Sequence, residues 1–392
     1  MTPNDVYLNN VGLLCAAGNS VESLKNGLLS DTDFLTVDNS FGAAALPVGM
    51  CHDELPVNPL TDSCWQSRNN QFALAAYLQI QSEVEQAIAE FGADRVGIVI
   101  GTSTSGISDA EPAIKTSIES GNLPESYHYS IQEMGNAAQF IAELSGTKGP
   151  IYAISTACSS GAKALASGKR LITAGICDVV IAGGVDTLCR LTVQGFSALE
   201  AVSTEVCNPF SKNRNGINIG EAAALFVLSR QPQGVILRGI GESSDAHHIS
   251  APEPNGEGAA SCMQLAMEDA GLEPKDIDYI NLHGTATVLN DQMESIAVNQ
   301  LFGHNVLCSS TKPFTGHTLG AAGAIEAAIC WLMLTDETGF IPKHRWDAEP
   351  DPAIPALNLV TANQSAERCK YVLSNSFAFG GNNIALILER AS

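Results

Sequence analysis

A cysteine stands where a strand-like run gives way to a helix-like run in "AISTACSSGAKALASGK". This is Cys158, and its neighbours Thr156, Ala157, Ser159, Ser160 and Gly161 are all small. A thiol just ahead of a helix N-terminus meets unpaired backbone N–H groups and the positive end of the helix dipole, both of which favour an anion. The expected consequence is a thiol pKa lowered toward ~7 and a reactive nucleophile, with the small neighbours giving a substrate clearance. A quiet buried thiol is the alternative, because free cysteine often fills cores as a small hydrophobe.

Two histidines lie further on in matching contexts, His283 in "NLHGTAT" and His317 in "TKPFTGHTLGAAGA". Each sits beside Gly and Thr, the composition of a loop that lets a ligand approach the backbone. A single such histidine reads as structural, whereas two in equivalent turns point to one shared site. Metal binding is the weaker reading, since no HExxH or paired Cys/His ligand spacing occurs. Lys312 in "SSTKPFTGH" is either a solvated turn residue or the partner of a buried carboxylate. Glu326, inside the apolar run "LGAAGAIEAAICWLML", needs such a partner, because an unpaired buried charge is costly. "SNSFAFGGNN" reads as a hairpin turn, or as a loop whose glycines let the Phe379 backbone N–H serve as an oxyanion donor. "GAKALASGK" imitates a phosphate loop, but its glycines are too far apart and it belongs to a helix.

The elements that must hold these residues are read as alternating buried strands and helices. "RVGIVIG", "IYAIS", "DVVIAGG" and "AALFVLS" precede the break "RQPQG", after which "VILRGIG", "DYINLHG", "VLCSS", "KYVLSNS" and "NNIALILE" follow. Apolar runs without polar alternation mark strands covered on both faces, as in layered α/β folds. The two stretches echo one another. "DRVGIVIGTST" matches "IDYINLHGTAT", and "AISTACSSGAKAL" matches "CSSTKPFTGHTLGAAGAIEAA", in the same order. A duplicated fold is predicted, with halves at 1–230 and 231–392 and the chemistry where equivalent strand ends meet.

Bulk properties narrow the class. At 392 residues the chain has room for two domains or one duplicated one, and its net charge of −22 argues against nonspecific nucleic-acid binding. Eleven cysteines without a CxxC pair suit a reducing compartment. "MTPNDVYLNN" has no basic n-region, and the most apolar run is short for a bilayer and carries Glu326. A cytoplasmic protein with no membrane span is expected.

Taken together, "TACSSGA", "HGTAT…ND", "STKPFTGHTLGAAGA" and "SNSFAFGGNN" resemble the elongating β-ketoacyl-acyl-carrier-protein synthases of the thiolase superfamily, in that family's order over nearly the whole chain. The resemblance implies a five-layered αβαβα sandwich of two similar halves. It also implies a decarboxylative Claisen condensation between an acyl group on Cys158 and malonyl-carrier-protein, giving a 3-oxoacyl product. In that scheme Cys158, His283, His317 and Lys312 are catalytic, Glu326 pairs with Lys312, and Phe379 is oxyanion donor and gate. Thr285 and Thr287 hold the pantetheine arm, and Thr104, in a turn that reaches across the dimer interface, either lies at the floor of the partner's acyl pocket or only caps its turn. Acyl carrier protein is the implied partner, together with a second subunit, either identical or related. No metal, nucleotide or flavin is called for. Arg68, Lys212 and Arg214 are the expected carrier-docking cations.

Some residues depart from the family pattern: Asn290 precedes Asp291 where Gly is usual, Ala378 separates Phe377 from Phe379, and Asn382 replaces Thr. These suggest a specialised polyene or polyketide synthase. A non-elongating partner subunit that sets chain length is the alternative, disfavoured because such subunits lack the nucleophile. A thiolase would need a second cysteine in a Gly-rich turn, whereas Cys369 sits in polar "SAERCKY", and an initiating synthase would carry Asn in place of His317.

Overall fold

The computed structural model describes residues 5–391 apart from 43, 363, 366 and 367. Ten strands of its main sheet fall into two sets of five. The first comprises β1 (Tyr7–Cys15), β2 (Val96–Gly101), β3 (Ile151–Ile154), β4 (Val179–Asp186) and β5 (Ala222–Ser229). The second comprises β6 (Val235–Ser244), β7 (Tyr279–Asn281), β8 (Leu307–Ser309), β9 (Tyr371–Ala378) and β10 (Asn382–Arg390). In space the sets run β3-β2-β4-β5-β1 and β8-β7-β9-β10-β6, the same order of equivalent strands. Directions match as well. In each set the second strand is parallel to the third and fourth, and the remaining pairings are antiparallel. The sets join where Tyr7 and Leu8 of β1 face Ile236 and Val235 of β6.

Seven helices position the site: α1 (Arg68–Leu78), α2 (Asn136–Ser145), α3 (Ser160–Thr173), α4 (Arg190–Ala198), α5 (Glu257–Ala270), α6 (Val288–Phe302) and α7 (Ala322–Thr335). Helices α1 and α2 cover the outer face of the first sheet, and α5 covers that of the second with α6 against it. Between the sheets α3 and α7 pack on one another, α3 also touching β2 and β4 while α7 touches β9 and β5. The result is five layers in the order αβαβα. Every residue of β2, β4 and β5 is buried, which explains their unbroken apolar runs. Helix α7 is apolar nearly all round because it is sandwiched, with only Trp331 and Thr335 left partly open. Among the described residues no helix is long and apolar enough to cross a membrane.

The small residues around Cys158 do a different job from the one expected. Helices α3 and α7 approach backbone to backbone, so a Cβ on Gly161 would lie 2.9 Å from the backbone nitrogen and Cβ of Ala324. A Cβ on Gly323 would lie 2.7 Å from that of Ala162. Glycine is required here by the close crossing of the two central helices, not by substrate clearance. Gly161→Ala is expected to destabilise the fold by ~1–3 kcal/mol, the usual cost of overpacking, and a denaturant midpoint equal to wild type would refute this.

Elements absent from the sequence reading include β1, α4 and the helices Val21–Leu29, Gln81–Phe91 and Ile107–Ser120. The last carries Pro112 inside it and only two buried residues, Ala110 and Ala113, so the stretch resembles a loop.

Candidate active site

Cys158 lies in the tight turn between β3 and α3, next to Ser159, the residue that caps the helix. Ala157 adopts a left-handed conformation with φ 52°. That geometry costs an L-residue ~1–2 kcal/mol. The turn is held by Thr156 N–H donating to Ser160 Oγ at 2.8 Å and by Ser160 Oγ donating back to Ala157 O at 2.6 Å.

His283 follows β7 and His317 follows β8, which are equivalent to β2 and β3 of the first half. Each therefore leaves the end of a parallel strand in the second half, aimed at the turn of the first. The two rings are edge to face with centroids 5.4 Å apart, and Phe377 stands edge-on to His283 at 6.0 Å. Ligand atoms of Cys158, His283 and His317 all lie within 4.8 Å of one another, and all three residues are buried. Lys312 and Glu326 form a buried ion pair, and the ammonium also donates to the carbonyl of His283. Both ions are almost fully enclosed, 1% and 2% exposed, so each depends on the other.

Hydrogen bonds fix the histidine tautomers. Leu319 N–H donates to His317 Nδ1 at 3.3 Å, and the Lys312 ammonium lies 3.5 Å from His283 Nδ1. Both Nδ1 atoms accept, so the proton of each neutral ring resides on Nε2. Burial, with the charge of Lys312 adding to it, holds both imidazoles well below the usual histidine range. Two neutral Nε2–H donors therefore serve the cavity. The same arrangement fits a metal poorly: a cation needs the Nε2 lone pairs, and Lys312 already supplies positive charge beside His283.

The thiol behaves contrary to the sequence expectation. Burial pushes Cys158 up to about 12, countered by the Lys312 charge and by a hydrogen bond from the Phe379 backbone N–H. Desolvation of a residue only 5% exposed outweighs the groups that favour its anion, so the resting side chain is a thiol. Phe379 sits in the β9–β10 hairpin, where Gly380 and Gly381 both have positive φ, 83° and 73°. The hairpin and the N–H donor are thus one feature. The Phe379 ring packs on Phe196 of α4 at 5.5 Å.

A cavity of about 300 Å³ opens onto these groups. Cys158, His283, His317, Thr285, Thr287 and Phe379 line it, and the two threonine hydroxyls are 2.9 Å apart. Thr104 does not line it. Its hydroxyl donates to Asp186 Oδ1 at 2.8 Å and its N–H to the same oxygen at 2.9 Å, which fixes the turn that the resemblance directs toward a partner subunit's pocket. The expected docking cations each hold a carboxylate of this chain. Arg68 grips Glu221, Arg214 is buried against Asp351, and Lys212 pairs with Glu349. Their carboxylate partners are far away in sequence, which is why the chain alone did not disclose them.

Three buried carboxylates brace the site; the sequence reading named only Asp291 and gave it no role. Asp186, at the end of β4, accepts from Thr102 Oγ1, from the N–H groups of Ser103 and Thr104, and from Gly320 N–H at the start of the α7 region. It ties the first half to the second directly beneath the site. Asp291 accepts from the N–H groups of Phe210 and Ala286. Glu294 accepts from the N–H groups of His283 and Gly284 at 2.8 and 2.7 Å, fixing the histidine loop. Burial raises Asp291 to about 6 and Glu294 to about 7, against the backbone N–H groups that lower both. A sequence signal existed for Glu294: it sits in α6 amid buried Met293, Ser295 and Ala297. His344, which has no motif around it, is buried with Nδ1 accepting from Ser310 N–H and Nε2 bonded to Pro209 O.

Glu294 gives a pH test. Its unfolded carboxyl titrates near ~4.3 and its folded one near 7, so between those values the unfolded state sheds a proton the native state keeps. Native stability from this group is full below the unfolded value and is lost as pH rises through 7. Glu294→Gln removes that loss, so the wild type should fall behind the variant in denaturant midpoint as pH climbs from 4.5 to 7.5. A constant difference would show that Glu294 does not titrate in this window.

Fold and site together define a condensing enzyme of the thiolase superfamily. The chain belongs to the β-ketoacyl synthase family: residues 68–233 match its N-terminal domain and residues 235–345 its C-terminal domain. It is 35% identical over 343 residues to "3-oxoacyl-[acyl-carrier-protein] synthase 2" of Staphylococcus aureus, covering 82% of each chain. To the protein of that name from Coxiella burnetii it is 31% identical over 414 residues, covering 100% of this chain and 99% of that one. Among solved structures, a ketosynthase (ApeO) in complex with its chain length factor (ApeC) from Xenorhabdus doucetiae superimposes with a TM-score of 0.94. That match is at 44% identity over 100% of both chains. The ishigamide ketosynthase/chain length factor matches at a TM-score of 0.88 and 29% identity, over 99% of both chains.

Proposed function

We propose that this chain is the catalytic subunit of a ketosynthase that extends carrier-bound acyl chains in a specialised polyene or polyketide pathway. The observation that carries the reading is the buried convergence of Cys158, His283 and His317 beside the Lys312–Glu326 pair. In the first step Cys158 Sγ attacks the thioester of an acyl carrier protein. The carrier's sulfur leaves, and the proton lost by Cys158 ends on it. The oxyanion formed in between is placed for the backbone N–H groups of Cys158 and Phe379, preorganised donors that need no rearrangement as charge develops. Since the resting sulfur is protonated, deprotonation belongs to this step and is favoured by Lys312 and the Phe379 N–H.

In the second step a malonyl thioester occupies the cavity, its pantetheine arm against Thr285 and Thr287. Loss of CO2 leaves an enolate, whose oxygen takes hydrogen bonds from Nε2–H of His283 and His317. The carbanion attacks the acyl-Cys158 carbonyl, the C–S bond breaks, and the Cys158 thiolate takes a proton from solvent water as 3-oxoacyl-carrier leaves. Burial, with the charge of Lys312 adding to it, keeps both histidines neutral, and Lys312 anchors His283 through its carbonyl. Neutral donors suit an enolate oxygen whose charge is transient.

The specialised pathway is supported by the 44% identity to a ketosynthase complexed with its chain length factor, against 35% for the synthase of S. aureus. By the same likeness we assign this chain a related subunit as partner, in place of a second copy of itself. A non-elongating role would leave the thiol and its N–H donor without use. All eleven cysteines are free, which suits catalysis in the reducing cytoplasm. The division into halves at 1–230 and 231–392 is retained as a reading of the duplicated strand order.

Intact-protein mass spectrometry after incubation with a panel of acyl carrier thioesters tests the proposal. A mass increase by one acyl group, mapped to Cys158, is expected. Acylation elsewhere, or none with any chain length, would overturn it.

A further inference from the structure

Asp186 is a fully buried carboxylate whose hydrogen bonds, among the described residues, all come from neutral donors. Its Oδ1 collects the hydroxyls of Thr102 and Thr104 and the N–H groups of Ser103 and Thr104, at 2.6 to 2.9 Å. Those hydroxyls accept from Ser105 N–H and Thr187 N–H, so their own protons are given to the carboxylate. Its Oδ2 shares Ser103 N–H at 3.0 Å and takes Gly320 N–H, in the other half of the fold, at 2.6 Å. Only glycine lets the carboxylate this close, since a Cβ on Gly320 would lie 2.6 Å from Oδ2 and 2.7 Å from Ser103 Oγ.

The residue before Gly320 carries the consequence. Leu319 has φ 51°, a left-handed conformation that a branched side chain keeps only where its surroundings enforce it. Its N–H is the donor on His317 Nδ1. The backbone of His317 is itself fixed, with its N–H on Asn218 O and its carbonyl accepting from Gly220 N–H. The stretch from His317 to Gly320 is therefore pinned at both ends, and Asp186 is the second pin. The structure assigns Asp186 as the positioning residue of His317: by anchoring Gly320 N–H it holds Leu319 in its turn, which aims Leu319 N–H at Nδ1 and keeps the imidazole proton on Nε2. This deepens the proposed function and rests on its use of His317 as an enolate donor.

Asp186→Asn separates this role from a general contribution to the fold. With four donors gathered on Oδ1 the amide oxygen takes that side, and the NH2 then confronts Gly320 N–H, so the bond crossing to the second half is the one lost. Thr102→Val is the comparison, because it deletes a donor to Oδ1 and leaves Gly320 alone. In the assembled synthase with isotope-labelled histidine, the imidazole nitrogen signal that His317→Ala removes should report the Nε2–H tautomer in wild type. In Asp186→Asn that signal should move to a mixture with Nδ1–H, while acyl loading of Cys158 continues. CO2 release from malonyl carrier should fall about ten- to hundredfold in kcat with KM held within about twofold, as for a misplaced catalytic group. Thr102→Val should lower the denaturant midpoint and keep both the wild-type signal and the wild-type rate. An unchanged His317 signal in Asp186→Asn would overturn the assignment, as would an equal loss of CO2 release in Thr102→Val or an Nδ1–H tautomer in wild type. If Asp186→Asn does not fold, an amide-to-ester replacement at Gly320, which deletes only its N–H, should move the signal in the same way, and an unmoved signal there overturns the assignment equally. Failure of the underlying reading looks different: wild-type enzyme would release no CO2 while the tautomer still followed Asp186.

Discussion

Cys158→Ala is expected to abolish both acyl loading and condensation while leaving the fold intact. The side chain occupies a turn whose shape is set by Thr156, Ala157 and Ser160, and alanine fits there without a clash. Full acyl transfer by that variant would remove the sulfur from the mechanism. Cys158→Gln offers a finer result. A glutamine carbonyl placed near the Phe379 N–H imitates the loaded enzyme, so malonyl decarboxylation should persist without condensation. CO2 release without a lengthened product separates the sulfur's role from that of the histidines. Loss of both activities in Cys158→Gln would mean that the two steps share more than the thioester.

The second large effect belongs to the histidines. His283→Ala and His317→Ala should each retain acyl-enzyme formation and lose decarboxylation by roughly a hundred- to thousand-fold, or ~3–4 kcal/mol, the usual cost of deleting one preorganised donor. The two are not equal in their surroundings. The His283 ring faces the Lys312 ammonium, whereas the His317 ring accepts from Leu319 N–H. If either variant condensed near the normal rate, its imidazole would be structural.

Much of the fold can be read from the sequence because its strands are buried on both faces and its halves repeat. Val96–Gly101, Val179–Asp186 and Ala222–Ser229 carry runs with no polar alternation, and such runs have few other uses. The first strand, Tyr7–Cys15, is harder to see because "YLNNVGLLC" interrupts its apolar residues with two asparagines. Its Asn9 is buried by bonds to Gln231 and Gln233 more than two hundred residues away, contacts no local pattern announces. The proposed reactive groups stood out for the opposite reason: Cys158, His283, His317 and Lys312 are polar residues placed in glycine-rich, low-charge turns. The carboxylates beneath them did not, since Asp186, Asp291 and Glu294 bind backbone N–H groups, and any acidic residue near a turn looks solvated. The thiol's protonation state was misjudged because position before a helix is local information, whereas burial is global.

The site's composition also sets when in the life of the polypeptide it becomes competent. Synthesis delivers Cys158 early, with one sheet of the sandwich, but the glycine-lined side of its helix meets no counterpart until Ala324 and its neighbours have emerged. The histidines follow in the second half, and the Phe379 N–H that bonds the sulfur comes within fifteen residues of the last described position. On the proposed mechanism a nascent or prematurely terminated chain carries the nucleophile without its donors, so unfinished copies neither load nor condense acyl chains.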